Sequence, residues 1–181
     1  MTARAHASEV GGRHLSEYYA AFSVLGPTFE RGTDVTGFIR AHVEAQLSQV
    51  RALDIREQVE REIWAGFEEL ALDANLHPRV TNALWDAFFG RSVTAGYYRS
   101  LADVSPATAT TDLSAAVSAG LLEAVGQRRG RRYVATEQLL ERLGSTLFIP
   151  GVSGPVEAAR DRIVSELGRR VTMPGRAFGL P

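Results

Sequence analysis

The sequence predicts a mainly α-helical protein in which a helical N-terminal region leads into a winged helix-turn-helix domain with a small β-hairpin wing. Three observations carry that expectation. Apolar residues recur at spacings of three and four from Phe38 to Val50 and again from Ile55 to Leu70, the period of an amphipathic helix. Ser105-Pro106 opens a helical pattern that stops at Gly120, a hydroxyl cap followed by proline at the first helical position. Two short apolar runs, Leu121 to Val125 and Tyr133 to Ala135, flank Gly126-Gln127-Arg128-Arg129-Gly130-Arg131-Arg132, and glycines at the shoulders of an arginine-rich link read as a hairpin.

The elements follow in order. Leu15 to Phe22 is a short helical pattern, with Ser16 as cap and Gly26-Pro27 as stop. After a turn at Arg31-Gly32, Asp34 or Thr36 caps a helix carrying Phe38, Ile39, Val43, Leu47 and Val50, and Ile55, Val59, Ile63, Phe67 and Leu70 repeat the stripe. No proline interrupts 28–77, so this is either two stacked helices broken near Leu53-Asp54 or one long helix. Pro78 opens a helix to Phe89 that turns Val80, Leu84, Trp85 and Phe88 inward and ends at Gly90. Ser92-Val93 is a short extended piece, Thr94 caps a helix from Ala95 to Ala102, and Asp103-Val104 is a turn. The next helix, Pro106 to Ala119, directs Ala109, Leu113, Ala116 and Val117 inward. Beyond the hairpin lie the turn-rich 150–155 and a helix from Val156 to about Val171. The expected domains are 1–76 (helical), 77–144 (winged helix) and 145–181 (a tail with one helix).

Composition narrows the chemistry. A chain of 181 residues, 45% hydrophobic and 23% charged, is ordinary for one substantial globular domain or two small ones. With no cysteine, disulfides, zinc-thiolate sites and cysteine nucleophiles are excluded. Four histidines are scattered at 6, 14, 42 and 77, and the run Glu57, Glu60, Glu62, Glu68 and Glu69 lacks the histidine spacing of a metal helix. No metal site and no cofactor is expected. The first fifteen residues carry Arg4, His6, Glu9 and Arg13 rather than the apolar core of a signal peptide, and no run reaches the roughly 20 apolar residues of a membrane span. A cytoplasmic protein is the expectation.

Every basic residue is arginine, which excludes a phosphate loop built on lysine. The formal net charge of −1 hides two opposed regions: 41–86 has nine acidic residues and four arginines, whereas 121–136 has four arginines and only Glu123. In a winged helix the second helix braces the third, whose N-terminal residues meet the major groove while the wing reaches phosphates or the minor groove. The expected DNA-binding residues are therefore Ser105, Ala107, Thr108, Thr110 and Thr111, with Arg128, Arg129, Arg131 and Arg132 on the wing; Ser114 shares the exposed helix face. This helix lacks Arg, Asn and Gln, the side chains that grip bases in pairs, so contact with phosphates is expected to dominate over base readout. A module that only packs or binds protein is the alternative.

The run Ser105 to Glu123, SPATATTDLSAAVSAGLLE, with the hairpin ending Arg132-Tyr133-Val134, resembles the C-terminal winged helix of Fic family proteins. Upstream, Glu17-Tyr18-Tyr19-Ala20-Ala21-Phe22 and Gly32-Thr33-Asp34-Val35-Thr36-Gly37-Phe38-Ile39 resemble the helices after the catalytic core of that family, so the likeness spans about 14–143. Thr111 departs from it, since such helices often carry Arg before the Asp-Leu pair. The family transfers AMP from ATP through a His-x-Phe-x-Asp/Glu-Gly-Asn-Gly-Arg motif, which this sequence does not contain; Glu9 to Arg13 and His77-Pro78 echo it without its residues. The inhibitory Ser/Thr-x-x-x-Glu-Gly/Asn pattern is missing too, because Ala158 follows Glu157. The resemblance implies a non-enzymatic, DNA-binding regulatory module from the C-terminal part of a Fic-like protein, with no catalytic residues. Its alternative is a module that positions a Fic adenylyltransferase domain. Expected partners are duplex DNA, a second copy through residues 38–70, and a Fic catalytic domain, with no membrane.

Overall fold

The computed structural model describes residues 19, 20, 22, 23, 26, 30, 32–127 and 130–172. They form a mainly helical fold with one small two-stranded antiparallel sheet. The helices are α1 (Thr36–Asp73), α2 (Thr81–Phe88), α3 (Ala95–Ala102), α4 (Pro106–Ser118), α5 (Glu137–Thr146) and α6 (Val156–Thr172), and a 3₁₀ turn, Pro78–Val80, precedes α2. The strands are β1 (Leu122–Val125) and β2 (Arg132–Ala135). The expected helix at 15–22 falls largely outside the described residues, although Tyr19, Ala20 and Phe22 are helical.

Two compact units divide between Asp54 and Ile55. In the first unit the Asp34 carboxylate accepts from the Thr36 backbone N–H at 2.9 Å, and Gly32 adopts φ +99° in the preceding turn. Hydrogen bonds from the side chain and backbone of Thr36 hold the Asp34 carboxyl below its ordinary pKa. Of the two alternatives for the long stripe, α1 is one helix rather than two.

The second unit owns the core. Val59, Ile63, Phe67 and Leu70 of α1 enter it beside Ala83, Leu84 and Phe88 of α2, Tyr98 of α3, Leu113 and Ala116 of α4, and Leu139, Leu140 and Leu143 of α5. Burial on this scale is the main favourable contribution to the fold. Ile149, Val152, Ala159, Ile163 and Leu167 belong to the same cluster, so much of the expected tail is core. Arginines of α6 fasten that segment: Arg170 donates to the Leu147 and Phe148 carbonyls, each at 2.8 Å, and Arg160 to the Phe88 carbonyl at 3.2 Å. Both α2 and α5 end at these carbonyls, which lack partners within their own helices.

Helix α5 has no counterpart in the sequence reading. Its signature is nonetheless ordinary: the Thr136 hydroxyl accepts from the Leu139 N–H at 3.0 Å, and Leu139, Leu140 and Leu143 form the buried face. Gly144 sits where this helix meets the chain returning toward α6. An added Cβ there would lie 2.6 Å from Val152 Cβ and Cγ2, so Gly144→Ala is expected to destabilise the fold by about 1–3 kcal/mol, read as a lower urea midpoint.

The end of α5 is closed by Ile149 N–H donating to the Gly144 carbonyl at 2.7 Å and Phe148 N–H to that of Ser145 at 3.0 Å. Phe148 therefore occupies the left-handed position that glycine usually fills, with φ +53°, and is 86% exposed. Its ring buries little to offset the backbone cost. Phe148→Gly is expected to stabilise the protein by roughly 0.5–1 kcal/mol, the left-handed penalty less the extra freedom of glycine in the unfolded chain. Thermal unfolding of the two proteins side by side checks this.

Candidate nucleic-acid interface

Helices α3 and α4 pack against each other across the turn at Asp103 and Val104. Thr94 caps α3, its hydroxyl accepting from Tyr97 N–H at 3.2 Å, and Asp103 ends it at φ +49°. Ser105 then caps α4 by accepting from Thr108 N–H at 3.1 Å, with Pro106 at the first turn. Along α4, Ala109, Leu113 and Ala116 are fully buried, while Ser105, Ala107, Thr110, Thr111 and Ser114 are exposed and Thr108 is half-buried.

Four hydroxyls on this face are already engaged. Thr110 Oγ1 donates to the Pro106 carbonyl at 2.9 Å, Thr111 Oγ1 donates to that of Ala107 at 3.1 Å, and Ser105 and Thr108 share a hydrogen bond at 2.8 Å. A hydroxyl whose proton is held by the backbone turn before it offers a methyl group and an acceptor lone pair. Such a surface suits thymine methyls and amino groups on base edges better than phosphate oxygens.

What orients this helix is a buried ionic cluster that sequence reasoning missed. Asp112, within the inward stripe of α4, accepts from Arg79 Nε at 2.6 Å, from Arg79 Nη2 at 3.1 Å and from the Tyr98 hydroxyl at 2.9 Å. Burial pushes the Asp112 pKa upward, but the bonds from Arg79 and Tyr98 outweigh it and hold the carboxyl below its ordinary value. Burial, with the bond to Asp112, raises that of the Tyr98 hydroxyl. The preceding residue in α3 faces a second carboxylate in the same way: the Tyr97 hydroxyl donates to Asp86 at 2.7 Å, and Arg91 pairs with Asp86 at 3.2 Å. Two adjacent tyrosines thus tie α3 to α2 on one side and to α4 on the other. The available signal was a lone carboxylate inside an apolar helical stripe, because such a group is buried only with partners.

The hairpin follows. Leu122 pairs with Ala135, Glu123 with Val134, Ala124 with Tyr133 and Val125 with Arg132. Val93 joins the other edge of β2 through two hydrogen bonds with Tyr133, at 3.0 and 2.8 Å. At the turn, Gly126 has φ +83°, and a Cβ there would meet the Gly130 carbonyl oxygen at 2.8 Å, so the two shoulders approach at a distance only glycine permits. Gln127, Gly130, Arg131 and Arg132 are exposed. Arg128 and Arg129 lie outside the described residues.

Among the described residues no cluster of metal-binding side chains occurs, and no helix is long and apolar enough to cross a membrane. Comparison of the chain with protein-family models, with curated proteins and with solved structures gives no match.

Proposed function

We propose that residues 77–144 form a winged helix-turn-helix that binds duplex DNA, with α4 as the groove-facing helix and the arginine-rich hairpin at 127–132 as the wing. The observation that carries this reading is the lock on α4: Asp112, Arg79 and Tyr98 fix its inner face while Ser105, Ala107, Thr110 and Thr111 stay exposed at its N-terminal end. The order of elements agrees with it, since α2, the Val93 bridge, α3, α4 and the hairpin follow one another as the winged-helix architecture requires. Affinity then comes chiefly from arginine contacts with phosphates and is steeply salt-dependent, and the neutral face of α4 contributes modest sequence preference. The sequence resemblance to the C-terminal winged helix of Fic family proteins supports the same reading.

A second reading is favoured by that same neutral face. A helix without base-gripping side chains also suits a module that docks on protein and positions a Fic catalytic domain. Fluorescence anisotropy with labelled random-sequence duplex, at low and raised salt, separates the two. Binding at low salt that weakens as salt rises supports the DNA reading, whereas no binding at low salt overturns it.

A further inference from the structure

Every buried residue of α1 lies at or beyond Val59. The part of the helix in the first unit has an apolar stripe of its own, and it faces solvent: Ile39 is 54% exposed, Val43 55%, Leu47 45%, Val50 61% and Leu53 64%. These residues are spaced four, four, three and three apart, which keeps them on one face. The step of two from Leu53 to Ile55 breaks that spacing, so the exposed stripe and the core stripe are separate patterns. A helical stretch of this length takes most of its stability from burying such a face.

The sequence around the stripe says what covers it. Leu47 stands midway between Arg40 and Asp54, seven residues from each, and those two charges lie on nearly the same side of the stripe, fourteen residues apart. Val43 and Val50, and likewise Ile39 and Leu53, are disposed almost symmetrically about the same point. The stripe is therefore complementary to itself when reversed. We propose that it is the interface with a second copy of this chain, packed antiparallel about a two-fold axis at Leu47. In that arrangement Val43 meets Val50 of the second copy, Ile39 meets Leu53, Leu47 meets Leu47, and Arg40 pairs with Asp54 twice. A parallel pairing sets each residue level with its own counterpart, and Arg40 then meets no Asp54. The pairing needs only residues of the first unit and stands apart from DNA binding.

Sedimentation of the whole chain over a concentration series, without DNA, tests this. The wild type is expected to move from monomer to dimer with a dissociation constant in the range of about 1–100 μM. Val43→Glu is expected to raise that constant at least tenfold, and Leu47→Ala, a milder change on an exposed site, several-fold, with helical circular dichroism unchanged in both. Arg40→Glu and Asp54→Arg are each expected to weaken the dimer a few-fold, as for exposed ion pairs present twice, and the double reversal to return it to within about threefold of wild type. Sedimentation as a monomer throughout overturns the proposal. So does a dimer indifferent to both Val43→Glu and Leu47→Ala, and a double reversal weaker than either single change overturns the antiparallel order.

Discussion

Replacing Arg128, Arg129, Arg131 and Arg132 together with alanine is expected to remove most of the affinity for duplex DNA and to flatten its dependence on salt. Each phosphate neutralised on B-DNA contributes about 0.9 to the slope of log K against log salt, so four such contacts from the proposed wing would supply about 3–4 of it. Between 50 and 200 mM salt that slope is worth about two orders of magnitude in affinity. The quadruple variant should therefore bind weakly at both salt concentrations, while its folding stays within about 0.5 kcal/mol of the parent. The reason for the second expectation is structural: Arg131 and Arg132 are exposed, and truncating their side chains leaves the strand backbone of Arg132 in place. Titrations of both proteins at several salt concentrations check the first expectation, and urea unfolding checks the second. Binding that survives the four changes unaltered would show that the hairpin is not the contact.

The largest effect on stability is expected at Asp112. Removing its carboxylate as Asp112→Ala strands the Tyr98 hydroxyl in the core and leaves the Arg79 guanidinium, 27% exposed, without its counter-charge. Breaking a buried pair from one side costs about 3–5 kcal/mol, and access of Arg79 to water puts this case near the lower end. Asp112→Asn keeps the shape and one acceptor and is expected to lose less. The effect has a pH signature whose sign follows from the depressed Asp112 pKa. A carboxylate with a lower pKa folded than unfolded contributes stability that is complete above its unfolded value, near 3.9, and is lost as pH falls through the folded one. Wild-type stability should thus fall more steeply than that of Asp112→Asn as pH drops from about 5 to about 2. Parallel curves for the two proteins would mean that the carboxylate contributes nothing as a charged group.

Much of this fold could be read from punctuation. Thr94 before Ala95, Ser105 before Pro106 and Asp34 before Thr36 all act as caps, because a short side chain with an oxygen before a helical run has few other uses for it. Gly90 and Gly120 adopt φ of +79° and +74° at the helix ends where they were expected. What could not be read was tertiary. The period of three and four treats 38–70 as one stripe, yet Ile39 and Ile63 have opposite fates, 54% and 0% exposed, because the core reaches only the later part. Helix α5 was missed since its leucines stand next to a turn-rich segment whose Ile149 and Val152 turned out to be core.

The candidate site divides along the same line. The exposed positions of α4 followed from its cap and its apolar stripe, which are local features. The Arg79–Asp112–Tyr98 cluster joins residues up to 33 positions apart, and nothing local marks them as neighbours. The back-bonded hydroxyls of Thr110 and Thr111 likewise emerge only once the helix is formed, and they turn a surface that reads as hydrogen-bond donors into one of methyls and acceptors.

The proposed binding of duplex DNA by 77–144 through backbone phosphates is tested by the anisotropy of a labelled random-sequence duplex titrated with the whole chain across a salt series. Binding is expected at low salt, with log K falling linearly against log salt at a slope of about −3 to −4. No binding at the lowest salt, or binding that does not change with salt, would contradict it.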